Sequence, residues 1–302
     1  MAAIELEGVH KTFGNVVALD GLDLTVQSGE IFGFLGPNGA GKSTTINIIL
    51  DFVRADRGTI TVLGQDAHKN SQAIRQRTGV LPEGFGVYDR LTAREHVSFA
   101  IDSKNADSDP DQLLERVGLS DDSDRKAGGF STGMKQRLSL AMALVGNPEL
   151  LILDEPSTGL DPIGAREFQE IVRAEASNGT TVFFSSHILG QVEAVCDRVG
   201  ILRDGEIVAV DSIEGLREAV GSGSKLRIEV DTVPKDIDTV PQAVDGVQTV
   251  DVTSSTITVS CDDSVKTQVV STIESEGATV TDFATEEQSL DELFSHYAGE
   301  GS

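Results

Sequence analysis

Positive charge is what this sequence is shortest of: 24 Lys+Arg stand against 49 Asp+Glu, a net charge of −25 over 302 residues. A surface that acidic repels phosphate backbones, which argues against nucleic acid as a partner. Cysteine is nearly absent. Cys196 and Cys261 cannot staple a chain of this length, so both are expected to be reduced and buried, with no disulfide framework. No apolar run reaches the roughly 18 residues that a membrane-crossing helix needs. No N-terminal succession of charged, apolar and small residues marks a secretory signal. The chain is therefore expected to be soluble and cytoplasmic, so any membrane part must come from another chain. Heptad runs, internal repeats and low-complexity tracts are missing too.

What is present is a folded pattern. The length suggests about two domains. The acids are interleaved with apolar periodic segments and spread over both halves, so they read as the surface of a folded protein rather than as disorder. Adaptation to molar intracellular salt, as in halophiles, is a second reading of the same excess.

Up to about residue 215, short apolar runs alternate with helical stretches. Ile31 to Leu35, Thr59 to Val62, Leu150 to Leu153 and Thr181 to Ser185 read as strands; Lys42 to about Val53 and Ile163 to about Ser177 read as helices. Thr92-Ala93-Arg94-Glu95 is a capping box that opens another helix. Alternating strands and helices predict an α/β layered domain. The texture then changes. Gly221-Ser222-Gly223-Ser224 reads as a flexible joint. Beyond it, strands at Lys225–Val230, Val247–Val252, Thr256–Cys261 and Ala278–Phe283 are expected, with helices at Ile237–Val244 and Val265–Glu276. This β-α-β-β-α-β order predicts a small ferredoxin-like α+β domain. Leu290, Leu293, Phe294 and Tyr297 fall on one face of a last helix. The expected domains are thus residues 1–215 and 216–302.

Gly36-Pro37-Asn38-Gly39-Ala40-Gly41-Lys42-Ser43 fits G-x-x-x-x-G-K-[ST] and lies between a strand and a helix, as that motif requires. Its glycines let backbone N–H groups turn toward phosphate oxygens, and the helix N-terminus adds positive potential. Lys42 would reach the β- and γ-phosphates of a nucleotide, and Ser43 would ligate Mg²⁺. Leu150 to Glu155 is an apolar strand that ends in two acids. Asp154 can hold Mg²⁺, and Glu155 is placed to orient and deprotonate a water. Phe130-Ser131-Thr132-Gly133-Met134 opens a further helix, where the Ser131 hydroxyl and the Gly133 amide make either an ordinary N-cap or a second anion site. One phosphate loop fills one phosphate site, so a second anion site implies a head-to-tail dimer.

The order and spacing of these motifs resemble the ABC ATPase family over about residues 4 to 215. The resemblance implies a P-loop ABC ATPase domain with a RecA-like core and a helical subdomain. Gly36–Ser43 then stands as Walker A, with Gly36, Pro37, Asn38, Gly39, Ala40, Gly41, Lys42, Ser43 and Thr44 binding ATP and Mg²⁺. Leu150–Glu155 stands as Walker B, and Ser157–Asp161 resembles the D-loop. His187, in Ser185-Ser186-His187, resembles the switch histidine at the γ-phosphate. Phe13 resembles the aromatic residue that stacks on adenine. Phe130–Met134 stands where the Leu-Ser-Gly-Gly-Gln signature belongs but departs from it, since Thr132 replaces a glycine and Met134 the glutamine; Ser131 and Gly133 remain. The Q-loop glutamine is Glu83, which can still reach Mg²⁺ through water.

Glu287–Phe294 is similar to the closing helix of drug-resistance exporter ATPases. Leu153–Ile163, Ser186–Gly190 and Ser289–Tyr297 also resemble the ATPase of the copper-processing transporter that serves nitrous oxide reductase. The chain lacks a Cys or His cluster that would bind copper. The implied function is ATP hydrolysis by a homodimer that drives a separate integral membrane permease, with the chain peripheral on the inner face of the membrane. Phe85 to Leu91 would be the coupling surface. Alternatives are a soluble ABC ATPase acting on ribosomes or DNA, which fits an acidic single cassette poorly, and a non-hydrolysing regulatory module, which intact Lys42, Asp154, Glu155 and His187 argue against.

Overall fold

Among the described residues the alternating runs resolve into three sheets, one of them the central layer of the α/β domain that the sequence predicts. A computed structural model describes residues 1–219, 223–231, 244–253 and 255–286. The chain divides into two compact units, Met1–Ile213 and Glu214–Ser302. In chain order the first contains β1 (Ala2–Phe13), β2 (Val16–Gln27), β3 (Ile31–Leu35), α1 (Lys42–Ile49), β4 (Arg57–Val62), β5 (Gln65–Asp66), α2 (Ser71–Gln76), β6 (Thr78–Leu81), α3 (Ala93–Lys104), α4 (Pro110–Arg116), α5 (Thr132–Ala143), β7 (Leu150–Asp154), α6 (Pro162–Ser177), β8 (Thr181–Ser186), α7 (Leu189–Glu193), β9 (Arg198–Arg203) and β10 (Glu206–Ser212); α8 (Ile213–Ala219) follows.

Six strands form the central sheet in the order β10-β9-β3-β8-β7-β6. From β9 to β6 every neighbouring pair is parallel, and β10 closes the edge antiparallel to β9. All residues of β3, β7 and β8 are buried. A strand covered on both faces has no polar side to show, which is why Leu150-Leu151-Ile152-Leu153 is apolar without alternation. Phe32, Phe34 and Phe183 pack with Ile46, Ile49 and Ile152 in the core. Each such side chain stabilises the fold by about 1.5–3 kcal/mol on full burial. The β9–β10 turn is Asp204-Gly205 with φ of 49° and 85°, the two-residue type whose twist suits a hairpin. Its Gly205 amide donates to Ala40 O at 3.0 Å, and Gly205 O accepts from Asp20 N at 3.0 Å.

A second sheet, β2-β1-β4-β5, is antiparallel. Only the β4 part of it was expected from sequence. Its signal was present as period-two alternation, since Leu22, Leu24 and Val26 are buried and their neighbours are not. Helix α1 is shorter than expected, ending at Ile49 rather than near Val53. Asp51 turns left-handed at φ 55°, and the amides of Phe52 and Val53 fold back onto Asn47 O at 2.8 and 3.1 Å. The expected capping box opens α3, with Thr92 and Glu95 each accepting from the other's amide. Arg116, at the end of α4, holds the buried Glu175 of α6 through two hydrogen bonds of 3.1 and 2.5 Å. The bond ties the helical layer to the sheet layer, because stripping a buried carboxylate of its partner is costly.

Among its described residues the second unit contains β11 (Gly223–Val230), β12 (Val247–Thr253), β13 (Thr256–Asp262), α9 (Lys266–Ser275) and β14 (Val280–Glu286). The strands lie in the order β12-β13-β11-β14, all antiparallel. Leu226, Ile228, Ile257, Val259, Val269 and Ile273 form its core. One expectation is corrected here. Gly223 and Ser224 are not part of a joint but begin β11, paired with Asp262 and Cys261. The rest of that joint, the helix expected to begin at Ile237 and the closing helix through Tyr297 lie outside the described residues. Cys261 is buried as expected, whereas Cys196 keeps intermediate exposure. The Cys196 sulfur itself lies against Gly33, and burial pushes its thiol well above the usual range. No described helix is long and apolar enough to cross a membrane.

Candidate functional site

Strand order, not chain order, assembles the site. The neighbours β3, β8, β7 and β6 run parallel, so their C-terminal ends lie side by side. The Gly36–Ser43 loop follows β3, His187 follows β8, Asp154 ends β7, and Glu83 comes shortly after β6. Ligands of open α/β sheets bind at such strand ends.

The loop takes the shape that its glycines allow. Gly41 stands at the start of α1 with φ 116°, and a Cβ there would lie 2.7 Å from Ala18 O and 2.8 Å from Leu19 Cδ2. No side chain caps α1, so its first amides face the cleft unclaimed by a capping group. The Gly36 amide donates to Ser186 O at 3.3 Å. Lys42 is buried and donates to Gly36 O at 2.7 Å and Pro37 O at 3.3 Å. The cleft above measures ≈ 370 Å³. Asn38, Gly39, Gly41, Lys42, Ser43 and Thr44 line one side of it, Glu83 and Glu155 another, and Val16 to Ala18 the rest.

Both acids after β7 are buried. Glu155 has the left-handed φ of 48°, and its amide donates to Ser185 O at 3.2 Å and Ser185 Oγ at 3.1 Å. Ser185 Oγ donates in turn to Asp154 Oδ1 at 2.5 Å. Glu155 Oε2 lies 2.8 Å from His187 Nδ1, a hydrogen bond when that nitrogen carries the proton. Glu155 Oε1 lies 3.3 Å from Lys42 Nζ, an ion pair without hydrogen-bond alignment, so this buried oxygen has no hydrogen-bond partner. Burial pushes the Asp154 carboxyl up. The Ser185 hydroxyl opposes that shift, the charges of Glu83 and Glu155 add to it, and Lys42 offsets part of it. Three carboxylates against one lysine leave excess negative charge, which a divalent cation would offset. Among the described residues no three His, Cys, Asp or Glu side chains form a self-sufficient metal site, so the donor set suits a hard cation completed by water and phosphate.

Not every residue singled out from sequence lies at this cleft. Phe13, at the end of β1, is half exposed beneath Lys11, whose ammonium stands 5.1 Å from the ring centroid, and it does not line the cleft. Ser131 and Gly133 do not line it either. Ser131 caps α5, accepting from Met134 N at 3.2 Å. The 157–161 segment adjoins that cap, since a Cβ built on Gly159 would lie 3.8 Å from Thr132 Cγ2. Sequence reasoning missed Ser185, Val16, Val17 and His96. Buried His96 accepts from the Tyr88 amide at 2.8 Å and so holds the 85–91 segment against α3. Tyr88, Leu91, His96, Phe99 and Met142 line an apolar groove there.

Residues 19–158 match the family model described as ABC transporter. A daunorubicin resistance ATP-binding protein of Streptomyces coeruleorubidus is 35% identical over 98% of this chain and 95% of its own. A bacitracin transport ATP-binding protein of Bacillus licheniformis is 42% identical over 68% of each. Among solved structures, a dimeric bacterial ABC transporter cassette superposes with a TM-score of 0.61 at 25% identity, covering 70% of this chain and 98% of that one.

Proposed function

The chain belongs to the ABC transporter family as an ATP-binding subunit, and on that premise we propose how its cleft works and what it serves. It is an ATPase whose turnover powers a separate membrane permease. The observation that carries our assignment of roles is the convergence of Lys42, Asp154, Glu155 and His187 at the ends of adjacent strands. Lys42 neutralises phosphate oxygens while the loop amides hold them. Ser43, Asp154 and Glu83 are the residues that would hold Mg²⁺, which when bound would neutralise charge on the phosphates. Glu155 takes the proton of the attacking water on its carboxylate. His187 orients Glu155 and faces the γ-phosphate. Phe13 would reach adenine only from beside the cleft, so Val16 and Val17 supply its nearer apolar wall.

Two copies pair head to tail. Ser131 and Gly133 lie outside their own chain's cleft, which supports their use on the partner's nucleotide, and the dimeric cassette that this chain resembles supports the pairing. Phe85–Leu91 and its apolar groove receive the permease, which keeps the chain on the inner face of the membrane. The daunorubicin-resistance relative, alike over nearly the whole chain, favours drug-resistance export over copper processing. Residues 1–215 form the ATPase domain and 216–302 a ferredoxin-like accessory domain. The transporter reading is tested by isolating the tagged chain from membranes of its host after detergent extraction. An integral membrane protein should accompany it in near-equal amount. Recovery with ribosomes or DNA and without such a protein would overturn the reading.

The acidity fits a halophilic cytosol. At about 0.1 M salt the Debye length is roughly 10 Å and neighbouring carboxylates repel; at about 1 M it is roughly 3 Å and they largely do not. Self-repulsion at −25 opposes both folding and the pairing of two acidic subunits. Melting temperature and ATP-driven dimerisation should therefore both rise from about 0.1 to about 2 M KCl. A flat or falling thermal-shift titration would defeat the halophile reading and leave the ATPase untouched.

A further inference from the structure

Three consecutive residues, the last two of β8 and the one after it, hold three different parts of the cleft. Ser185 holds both acids, Ser186 O accepts from the Gly36 amide at 3.3 Å, and His187 meets the Glu155 carboxylate at 2.8 Å. Ser185, in β8, and His187, just after it, hold Glu155 at two points, one at its amide and one at its carboxylate.

The Ser185 hydroxyl is fully buried, and its directions are fixed by its partners. A hydroxyl has one proton to give. The Glu155 N–H can only donate, so the serine proton goes to Asp154 Oδ1, and the oxygen that gives it accepts from Glu155. One atom thus bridges two neighbouring acids with two different tasks. Glu155 needs such a bridge. Its φ of 48° is a conformation that side chains with a Cβ rarely adopt, and it persists where the surroundings over-determine it. An alanine would fill nearly the same space, so the bridge is not needed for packing.

We propose that Ser185 is a positioning residue for hydrolysis, whose hydroxyl locks the Asp154 carboxylate and the Glu155 backbone into one unit. The proposal rests on the roles given to those two acids above. Without the bridge, Asp154 loses its serine donor and the Glu155 amide keeps only Ser185 O, so the two carboxylates lose their fixed mutual register. Nucleotide binding depends on the 36–44 loop and should survive.

The experiment compares the parent chain with Ser185→Ala, Ser185→Cys, Ser185→Thr and Glu155→Gln, reading steady-state ATP hydrolysis and the Mg²⁺ dependence of nucleotide-induced thermal stabilisation. Ser185→Ala should lower kcat about 10- to 100-fold with KM for ATP within about twofold. The Mg²⁺ midpoint for stabilisation should rise, and the melting temperature without nucleotide should stay near the parent's. Ser185→Cys keeps the shape but donates weakly, so it should lose kcat in the same way; it carries the test should Ser185→Ala fail to fold. Ser185→Thr keeps the oxygen and should recover kcat to within about threefold. Parent-level kcat in Ser185→Ala or Ser185→Cys overturns the proposal. So does a loss of rate matched by an equal loss of nucleotide binding. A silent Glu155→Gln beside a fully active Ser185→Ala removes the serine's role alone, whereas a fully active Glu155→Gln removes the roles of both.

Discussion

Glu155→Gln is expected to bind ATP at least as well as the parent chain and to hydrolyse it about 10²- to 10⁴-fold more slowly. The substitution keeps the size and leaves an oxygen able to accept from His187, which now lies 2.8 Å from the carboxylate. It removes the group that takes a proton from water. It also removes a negative charge 3.3 Å from Lys42, which frees that lysine for phosphate. Slow turnover with undiminished binding should hold ATP between the paired subunits, so the variant should accumulate as an ATP-bound dimer. Hydrolysis rate and particle mass, each measured with ATP and with ADP, check this. Hydrolysis at the parent rate would remove Glu155 from the chemistry.

Lys42→Ala should fail one step earlier, at binding. The ammonium is buried, anchored by Gly36 O and Pro37 O at the floor of the cleft, so its charge acts with little screening. A charge-assisted hydrogen bond is worth about 1.5–3 kcal/mol, so losing one lowers ATP affinity about 10- to 150-fold. The substitution also leaves Glu155 facing the phosphates with His187 but without the lysine that offsets its charge. Titration of both variants with a fluorescent nucleotide separates the two effects. Equally tight binding by Lys42→Ala and Glu155→Gln would mean that Lys42 does not meet phosphate.

What could be read from the residues alone follows a physical rule. Gly36–Ser43 was legible because only a small set of residue types permits that loop, and Leu150–Leu153 because a strand buried on both faces has no alternative to being apolar. The Thr92 capping box was legible because a helix start is a local matter. The end of α1 was not, since apolar residues continue through Val53 and only the backbone of Asp51 breaks the run. Ser185 was invisible for a different reason. A serine in a strand carries no pattern, and its partners lie 31 and 30 residues away in sequence, brought beside it by the pairing of β8 with β7. The apolar cleft wall at Val16 and Val17 was missed with the N-terminal sheet that presents it, although that sheet had announced itself by alternation.

The hairpin tip at Asp204-Gly205 has a practical consequence. Exposed turn tips are usually where a chain accepts an inserted tag, a label or a protease nick. This one looks like such a place, because the Asp204 side chain is 90% exposed. Yet the next residue's amide holds Ala40 O inside the phosphate loop, and its carbonyl holds Asp20. An epitope placed there would pull on the nucleotide loop from behind and could be mistaken for a catalytic defect. The turn at Asn178-Gly179, at the opposite end of β8 with open space around Gly179, is the better address for a fluorophore or affinity handle.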